Sequence, residues 1–387
     1  MVSSGSLASL ALPALAFLSL SANALPHHRT ASSTAALKLA VRINSYGIKN
    51  IAAADQARVQ ALQAGDSSSI SATNAMTTYT ANIGVGSPAT YYTLLIDTGS
   101  SNTWIGANKS YEKTSTSEDT GNQFTLTLSS DLVIENQSIG VASESNLSVT
   151  DVDGLLGLGP VDLTQGTVSD EDEVATVTQN LYTQGTISSE VLGVFFAPAS
   201  SDDTSGELTF GGYDASKITG DVSYVPITSA SPARTYWGID QSISYGSTII
   251  LEETAGIVDT GTTLILIASD AFDRYQSATG GTLDEETGLL KISSDQYEQL
   301  SSLYFTIGGV TYELTPNAQI WPRSLNSAIG GTTDDIYLIV SSTGSSSGSG
   351  LDFMNGYCFL ERFYSVYDTT NSRVGFATTE YTFATTN

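Results

Sequence analysis

Two segments of this chain repeat one another, and the repeat limits the folds open to it. The first is "YTLLIDTGSSNTWIGA", which carries Asp97, and the second is "TAGIVDTGTTLILIAS", which carries Asp259. In each, an apolar run (Leu94-Leu95-Ile96 or Ile257-Val258) delivers an Asp into a Thr-Gly turn. A hydroxyl pair follows (Ser100-Ser101 or Thr262-Thr263), then a second apolar stretch. The copies lie 162 residues apart. The pattern reads as an internal duplication: two similar lobes, each supplying one carboxylate.

The chemistry accounts for each position. Two Asp side chains facing one another at strand ends cannot both ionise, so they share a proton. One can then act as base toward a bound water and the other as acid toward a carbonyl. Gly99 and Gly261 let the backbone turn tightly and bring N–H donors to the carboxylates. Ser100 and Thr262 can donate to the outer oxygens, and Thr98 and Thr260 can bond across the lobe junction. A third Asp-Thr-Gly, Asp119-Thr120-Gly121, follows Ser-Glu and precedes Asn-Gln. No apolar strand delivers its Asp anywhere, so it reads as a surface turn.

Composition supports a β chain with carboxylate chemistry. Short Val- and Ile-rich runs broken by turn residues give an all-β expectation. The 387 residues are ample for a sizeable core. Both histidines, His27 and His28, lie at the N-terminal end. Loss of that segment would leave no histidine for a Ser-His-Asp or Cys-His site or a His-ligated zinc. The lone Cys358 cannot form an internal disulfide and reads as a small buried apolar residue. No cofactor and no metal are expected.

The N-terminal region has its own character. "LASLALPALAFLSLSANA" is apolar and ends Ala22-Asn23-Ala24, which predicts a secretory signal over residues 1–24 and an extracellular protein. Pro13 argues against a buried helix there. Five of the 14 basic residues (Arg29, Lys38, Arg42, Lys49, Arg58) precede residue 65, whereas only two of the 40 acids, Asp55 and Asp66, precede residue 73. A basic leader on a very acidic body suggests a prosegment, residues 25–72, held by charge pairing and loosened by acid. The acidic body repels nucleic acid. No apolar run in the body is long enough to span a membrane.

The chain resembles the pepsin-like aspartic proteases, in particular secreted enzymes of wood-rotting fungi. The likeness rests on the two Asp-Thr-Gly segments together with "DGLLGLGPVDLT", "GELTFGGYDASKITG" and "DFMNGYCFLERFYSVYDTTNSRVGFATT", and it covers roughly residues 73 to 387. It implies a bilobal β fold with a central cleft, lobes at 73–215 and 216–387, and Asp97 and Asp259 as the catalytic pair. It also implies polypeptide substrates, inhibition by pepstatin-type compounds and a monomer. Leu155-Leu156-Gly157 and Phe353 to Gly356 look like the apolar-apolar-Gly elements that brace each catalytic loop, with Asn355 where the family usually has an aliphatic residue. Trp104 matches a Trp whose indole bonds the tyrosine of the family's flap, a hairpin that closes over substrate.

That hairpin is expected to be missing. No tyrosine lies between Tyr111 and Tyr182, and no Tyr-Gly-Ser-Gly occurs there. The join falls near Gln123-Phe124, with about twenty residues, a hairpin's worth, absent. The rival to a working protease is therefore a non-catalytic or impaired pepsin-like binding protein. A carbohydrate-cleaving β protein lacks an aromatic platform. Smaller features include the glycosylation sequons at Asn108, Asn136 and Asn146. "STGSSSGSG" at 342–350 reads as a flexible surface loop. "CFLERFYSVYD" reads as the core of a strand pair.

Overall fold

The computed structural model describes residues 34–43, 50–64, 77–112, 123–129, 132–142, 152–168, 172–201 and 205–387. The first half of the chain contributes β1 (Ala35–Ile43), α1 (Ile51–Ala64), β2 (Thr77–Val85), β3 (Thr90–Asp97) and β4 (Trp104–Ile105). After these come β5 (Gln123–Ser129), β6 (Leu132–Ser138), β7 (Gly140–Val141), β8 (Gly154–Gly157), α2 (Val177–Thr183), β9 (Val191–Phe196) and β10 (Ser205–Phe210). The second half begins with β11 (Ser223–Pro226), β12 (Gly238–Tyr245), β13 (Thr248–Val258), β14 (Ile265–Ile267) and α3 (Ser269–Thr279). It continues with β15 (Thr282–Leu283), β16 (Leu290–Ile292), α4 (Ser294–Glu298), β17 (Leu303–Ile307), β18 (Val310–Leu314) and β19 (Ile336–Leu338). The last elements are β20 (Val340–Ser342), β21 (Phe353–Asn355), α5 (Tyr357–Leu360), β22 (Phe363–Asp368) and β23 (Arg373–Thr378).

The strands assemble mainly into two sheets. A 13-stranded sheet runs β11-β23-β22-β9-β10-β1-β2-β3-β8-β4-β7, with β5 on β2 and β6 on β5. A seven-stranded sheet runs β18-β17-β12-β13-β21-β14-β20. The final strands therefore return to the first half: β22 pairs with β9, Ser365 opposite Val194. One apolar core, from Leu37 to Phe376, extends through both halves.

The duplicated segments occupy matching places. β3 lies parallel to β8, with Ile96 opposite Leu156 and Asp97 opposite Gly157. β13 lies parallel to β21, with Ile257 opposite Met354 and Val258 opposite Asn355. Each Asp thus stands at the end of a strand whose last four residues are all buried, braced by a buried parallel neighbour. Burial on both faces at these strand ends explains why Leu94-Leu95-Ile96 and Ile257-Val258 are unbroken apolar runs and not alternating ones.

Two readings of the sequence change here. Cys358-Phe359-Leu360 belong to α5 and not to a strand, and only Phe363–Asp368 is strand, buried at every position. The 342–350 loop is not loose. Ser347 donates from its backbone and its hydroxyl to Asp270, and Gly348 and Ser349 donate to Asp352. The carboxylates that tie it lie outside the loop, which is why its composition alone suggested flexibility. The third Asp-Thr-Gly, Asn146, the signal segment and residues 113–122, which border the expected hairpin join, lie outside the described residues.

Gly356 illustrates how tightly the brace is built. A Cβ there would lie 2.3 Å from the Leu264 carbonyl oxygen and 2.6 Å from that of Thr262. Both atoms are backbone of the loop that follows Asp259, so neither can swing aside. Gly356→Ala should cost about 1–3 kcal/mol, the usual penalty of overpacking, and lower the midpoint of thermal unfolding. An unchanged midpoint would show that this loop has room the geometry denies it.

Candidate active site

The two Thr-Gly turns meet at a symmetric junction. The Thr98 N–H donates to Thr260 Oγ1 at 2.9 Å and the Thr260 N–H to Thr98 Oγ1 at 3.0 Å. Each hydroxyl passes its own proton to the opposite strand, Thr98 to the Val258 carbonyl and Thr260 to the Ile96 carbonyl. Both residues are buried. A hydroxyl is needed at each position because it must accept and donate at once.

The carboxylates hang from this junction, both with 0% exposure. On the inner side, Gly99 N–H reaches Asp97 Oδ1 at 2.9 Å and Gly261 N–H reaches Asp259 Oδ1 at 2.9 Å. On the outer side, the Ser100 and Thr262 hydroxyls donate to the Oδ2 atoms, each at 2.5 Å. A Cβ on Gly99 would approach Asp259 Oδ1 to 2.6 Å, and one on Gly261 would approach Asp97 Oδ1 to 2.6 Å. Close approach of the two loops, not chain flexibility, therefore demands glycine here.

Helix α1 enters this site. Asn50 caps it, its side-chain oxygen accepting the Ala53 N–H at 2.8 Å. Ile51, Asp55, Arg58, Val59 and Leu62 form its buried face, one stripe at helical spacing. Arg58 lies between the carboxylates: Nη2 is 2.6 Å from Asp97 Oδ1 and 3.0 Å from Asp259 Oδ1, and Nε is 2.7 Å from Asp259 Oδ2. One turn earlier, Asp55 accepts the Leu264 N–H at 2.8 Å. Tyr236 donates its hydroxyl to Leu62 O at 3.1 Å, and Ile51 N–H donates to Thr287 O. Upstream, β1 fits between β10 and β2, and Lys38 pairs with Glu207. Charge pairing is thus only part of the hold on this segment; strand pairing and the apolar face of α1 supply the rest.

The electrostatics follow from burial and from one cation set against two anions. Burial drives Asp97 above the ordinary carboxylate range; Arg58 opposes this, and Asp259 beside it adds to it. Burial also opposes ionisation of Asp259. There the Arg58 charge and its hydrogen bonds, with Thr262 and Gly261, outweigh it and hold the carboxyl low. Burial pushes Asp55 up to about 7, against the Leu264 and Thr263 N–H groups and Arg58. Arg58 Nη1 is buried without a hydrogen-bond partner among the described residues.

The remaining residues singled out in the sequence lie farther away. Trp104 is half-buried on β4 and packs on Leu95, Val152 and Leu155. Asn108 and Asn136 are exposed, Asn136 in the left-handed region at φ 55°. Cys358 is buried, and burial raises its thiol well above the ordinary range. Sequence reasoning missed the role of Arg58, the insertion of Asp55, and Trp237, whose indole donates to Leu158 O at 3.0 Å. Leu158 N–H in turn bonds Asp97 O, so Trp237 links the second half of the chain to the first Asp-Thr-Gly loop. A signal for α1 did exist: an Asp and an Arg standing on the apolar stripe of an otherwise Ala-rich helix.

The chain is similar to known proteins in sequence and in fold. The eukaryotic aspartyl protease family model matches residues 78–132 and 125–379, in two pieces that overlap near the expected hairpin join. Polyporopepsin of Irpex lacteus is 58% identical over 338 residues, covering 82% of this chain and 99% of that protein. Gastricsin of Cavia porcellus is 30% identical over 335 residues, covering 78% of this chain and 80% of that protein. The crystal structure of the aspartic proteinase from Irpex lacteus superposes with a TM-score of 0.76 at 59% identity, covering 80% of this chain and 96% of that one. With a matching family model across both halves, a matching fold and paired Asp-Thr-Gly loops, the chain belongs to the eukaryotic aspartyl protease family.

Proposed function

We propose that this chain is a secreted endopeptidase, made as a zymogen, that hydrolyses peptide bonds in proteins at acid pH with Asp97 and Asp259 as its catalytic pair. One observation carries the reading. A single atom, Arg58 Nη2, lies within hydrogen-bond reach of the inner oxygens of both carboxylates, and a water at that point could be held the same way.

The reaction then follows from a dyad that shares one proton. The ionised carboxylate takes a proton from the held water as its oxygen bonds to the substrate's carbonyl carbon. The protonated carboxyl gives its proton to the carbonyl oxygen, forming a neutral gem-diol. On collapse one gem-diol hydroxyl gives its proton to the ionised carboxylate as the carbonyl re-forms and the C–N bond breaks; the leaving nitrogen takes the proton of the other carboxyl, so the dyad ends with one proton, as it began. The Ser100 and Thr262 hydroxyls hold the outer oxygens so that the inner ones face the water. The Thr98–Thr260 junction keeps the two carboxyl groups in register.

In this reading residues 1–24 direct export and residues 25–72 are the removable prosegment, with Arg58 standing where the water must bind. A guanidinium keeps its proton throughout the physiological range, so only the carboxylate side of this contact titrates. Arg58 lowers both dyad carboxyls relative to an empty cleft. Its grip is therefore present when they are ionised and is lost as pH falls through their docked pKa values. Asp55 works in the opposite sense. Its pKa in the docked helix, about 7, lies above that of a free Asp. Its contribution to docking is full below the free value and is lost as pH rises through about 7.

The second reading, a pepsin-like protein with impaired turnover, draws on the family match breaking into two pieces near residues 125–132. Without a hairpin over the cleft, bulk water would weaken the dyad's electrostatics. Digestion of haemoglobin at acid pH, with and without a pepstatin-type inhibitor, separates the readings. Inhibitor-sensitive cleavage supports the protease, and its absence supports the binder.

Two further outcomes are expected. Asp97→Asn and Asp259→Asn should each abolish cleavage while leaving the fold intact by circular dichroism; full activity in either ends the case for the dyad. In the full-length chain, pepstatin-type inhibitor uptake reports how far α1 has left the cleft. Arg58→Ala should take up inhibitor even at neutral pH. Asp55→Asn should take up less than the unaltered chain at pH 7, since no buried charge then opposes docking, and the difference should close as pH falls toward about 4. Greater uptake by Asp55→Asn at pH 7 would reverse the sign assigned to Asp55.

A further inference from the structure

We infer that Gln241 and Asn355 act as positioning residues for Asp259, their paired side-chain amides fixing the strand end on which the second catalytic loop is mounted. The inference rests on the hydrolytic reading above. Asn355 is the last residue of β21. Its backbone lies between Val258, the residue before Asp259, and Ile265, where the chain resumes as a strand after the loop. Its carbonyl accepts the Asp259 N–H at 3.1 Å. Whatever sets the place of Asn355 therefore sets both ends of the loop and the N–H of the catalytic residue.

The side chains supply that setting. Asn355 Nδ2 donates to Gln241 Oε1 at 2.8 Å, and Gln241 Nε2 donates back to Asn355 Oδ1 at 3.2 Å. Both residues have 0% exposure. Gln241 lies on β12, which flanks β13 on the side opposite β21. The amide pair thus ties together the two neighbours of the strand that delivers Asp259. It starts where the register of β12 against β13 shifts, between Gln241 and Ile243, a place where ladder hydrogen bonds alone hold the strands less firmly.

The molecule contains its own comparison. In the first half the equivalent position is Leu156, opposite Ile96 and followed by Gly157, as Asn355 is opposite Val258 and followed by Gly356. Leu156 is buried in the apolar core. A leucine is therefore enough to build this brace. Burying two amides gives up their hydration and regains it only through the pair. A reciprocal amide pair adds direction, because it fixes how the strand end is rotated as well as where it lies. The two arms of the dyad are then held differently, Asp97 against an apolar residue and Asp259 against a hydrogen-bonded one.

The charged and titratable groups facing Asp259 are Arg58 and Asp55 from α1, Asp97 from the opposite loop, Tyr236, and Tyr367 from β22. The amide pair is neutral, so its influence on Asp259 passes through position. It keeps the carboxylate aligned with Gly261 N–H and the Thr262 hydroxyl, both of which favour the ionised form.

The test compares Asn355→Leu, Gln241→Leu, the double leucine variant and the swapped pair Gln241→Asn with Asn355→Gln. The double leucine copies the apolar brace of the first half and leaves no amide unpaired, so it guards against simple failure to fold. Expected is a roughly tenfold fall in kcat with KM unmoved, as for a misplaced reacting group. The acid limb of the kcat profile should move to higher pH, and the swapped pair should recover part of the loss. Amide hydrogen exchange gives a readout independent of turnover: residues 257–264 should lose protection in the double leucine variant while residues 96–101 keep theirs. A double leucine enzyme of normal stability with unaltered kcat and pH profile overturns the inference. If the unaltered chain has no turnover, the hydrolytic reading fails, and exchange decides the positioning: equal protection in both loops rejects it.

Discussion

The rest of the site depends on two threonine hydroxyls. Thr98 and Thr260 each accept the opposite turn's N–H and donate to the opposite strand's carbonyl. These four hydrogen bonds join the two Thr-Gly turns directly, while the β9–β22 ladder links the halves elsewhere. They are buried, so water cannot substitute for a lost partner, and an unmet donor or acceptor there would carry the full desolvation cost. The carboxylates follow immediately from this arrangement. Asp97 and Asp259 each precede one of these threonines, so fixing the threonines fixes the separation of the inner oxygens. Gly99 and Gly261 are then required because the loops pass too close for a side chain.

The meeting of Asp97 and Asp259 was legible in the sequence because the pattern that marks each of them is local. An apolar run, an Asp, a Thr-Gly turn and a hydroxyl fall within six or seven residues, twice. The same locality set aside Asp119, whose flanks are polar. The contribution of α1 was not legible because its meaning lies at long range: Arg58 is 39 residues from Asp97 and 201 from Asp259. Composition showed only a basic leader. Charge counting predicted attraction to the body, but not that one guanidinium would be carried into the cleft by an apolar helix face. The 342–350 loop failed for the same reason, since Asp270 and Asp352 hold it from outside. In α5 a short apolar run suited helix and strand equally, an ambiguity that periodicity does not resolve at that length.

In the proposed zymogen, Arg58 would keep a cleft with two adjacent acids quiet without dismantling it. A cation between them relieves the repulsion that otherwise forces a shared proton. One positive charge against two negative ones leaves the cluster acidic, and Asp55 adds a third carboxyl within the same buried volume. With Asp55 protonated the cluster carries a charge of about −1, and with it ionised about −2, in a medium where charge is costly. The helix therefore meets opposing demands as pH changes. Protonating the dyad removes the attraction for Arg58, while protonating Asp55 removes a buried charge. In the proposed zymogen the dyad prevails at low pH: Asp55 accepts two backbone N–H groups, from Thr263 and Leu264, whereas the dyad makes three contacts to the guanidinium.

The asymmetry between the two arms bears on which carboxyl ionises first. With α1 in place, Asp259 receives two of the three Arg58 contacts and is held low, while Asp97 is held high. Removing Arg58 removes that bias, because the inner glycine and outer hydroxyl bonds are matched across the pseudo-two-fold to within the same distances. What remains different lies behind the carboxylates: a leucine brace for Asp97 and a paired amide for Asp259. A near-symmetric dyad needs only a small difference in support to decide where its single proton rests. The residues proposed to supply it, Gln241 and Asn355, are fully buried behind the loop that carries Asp259.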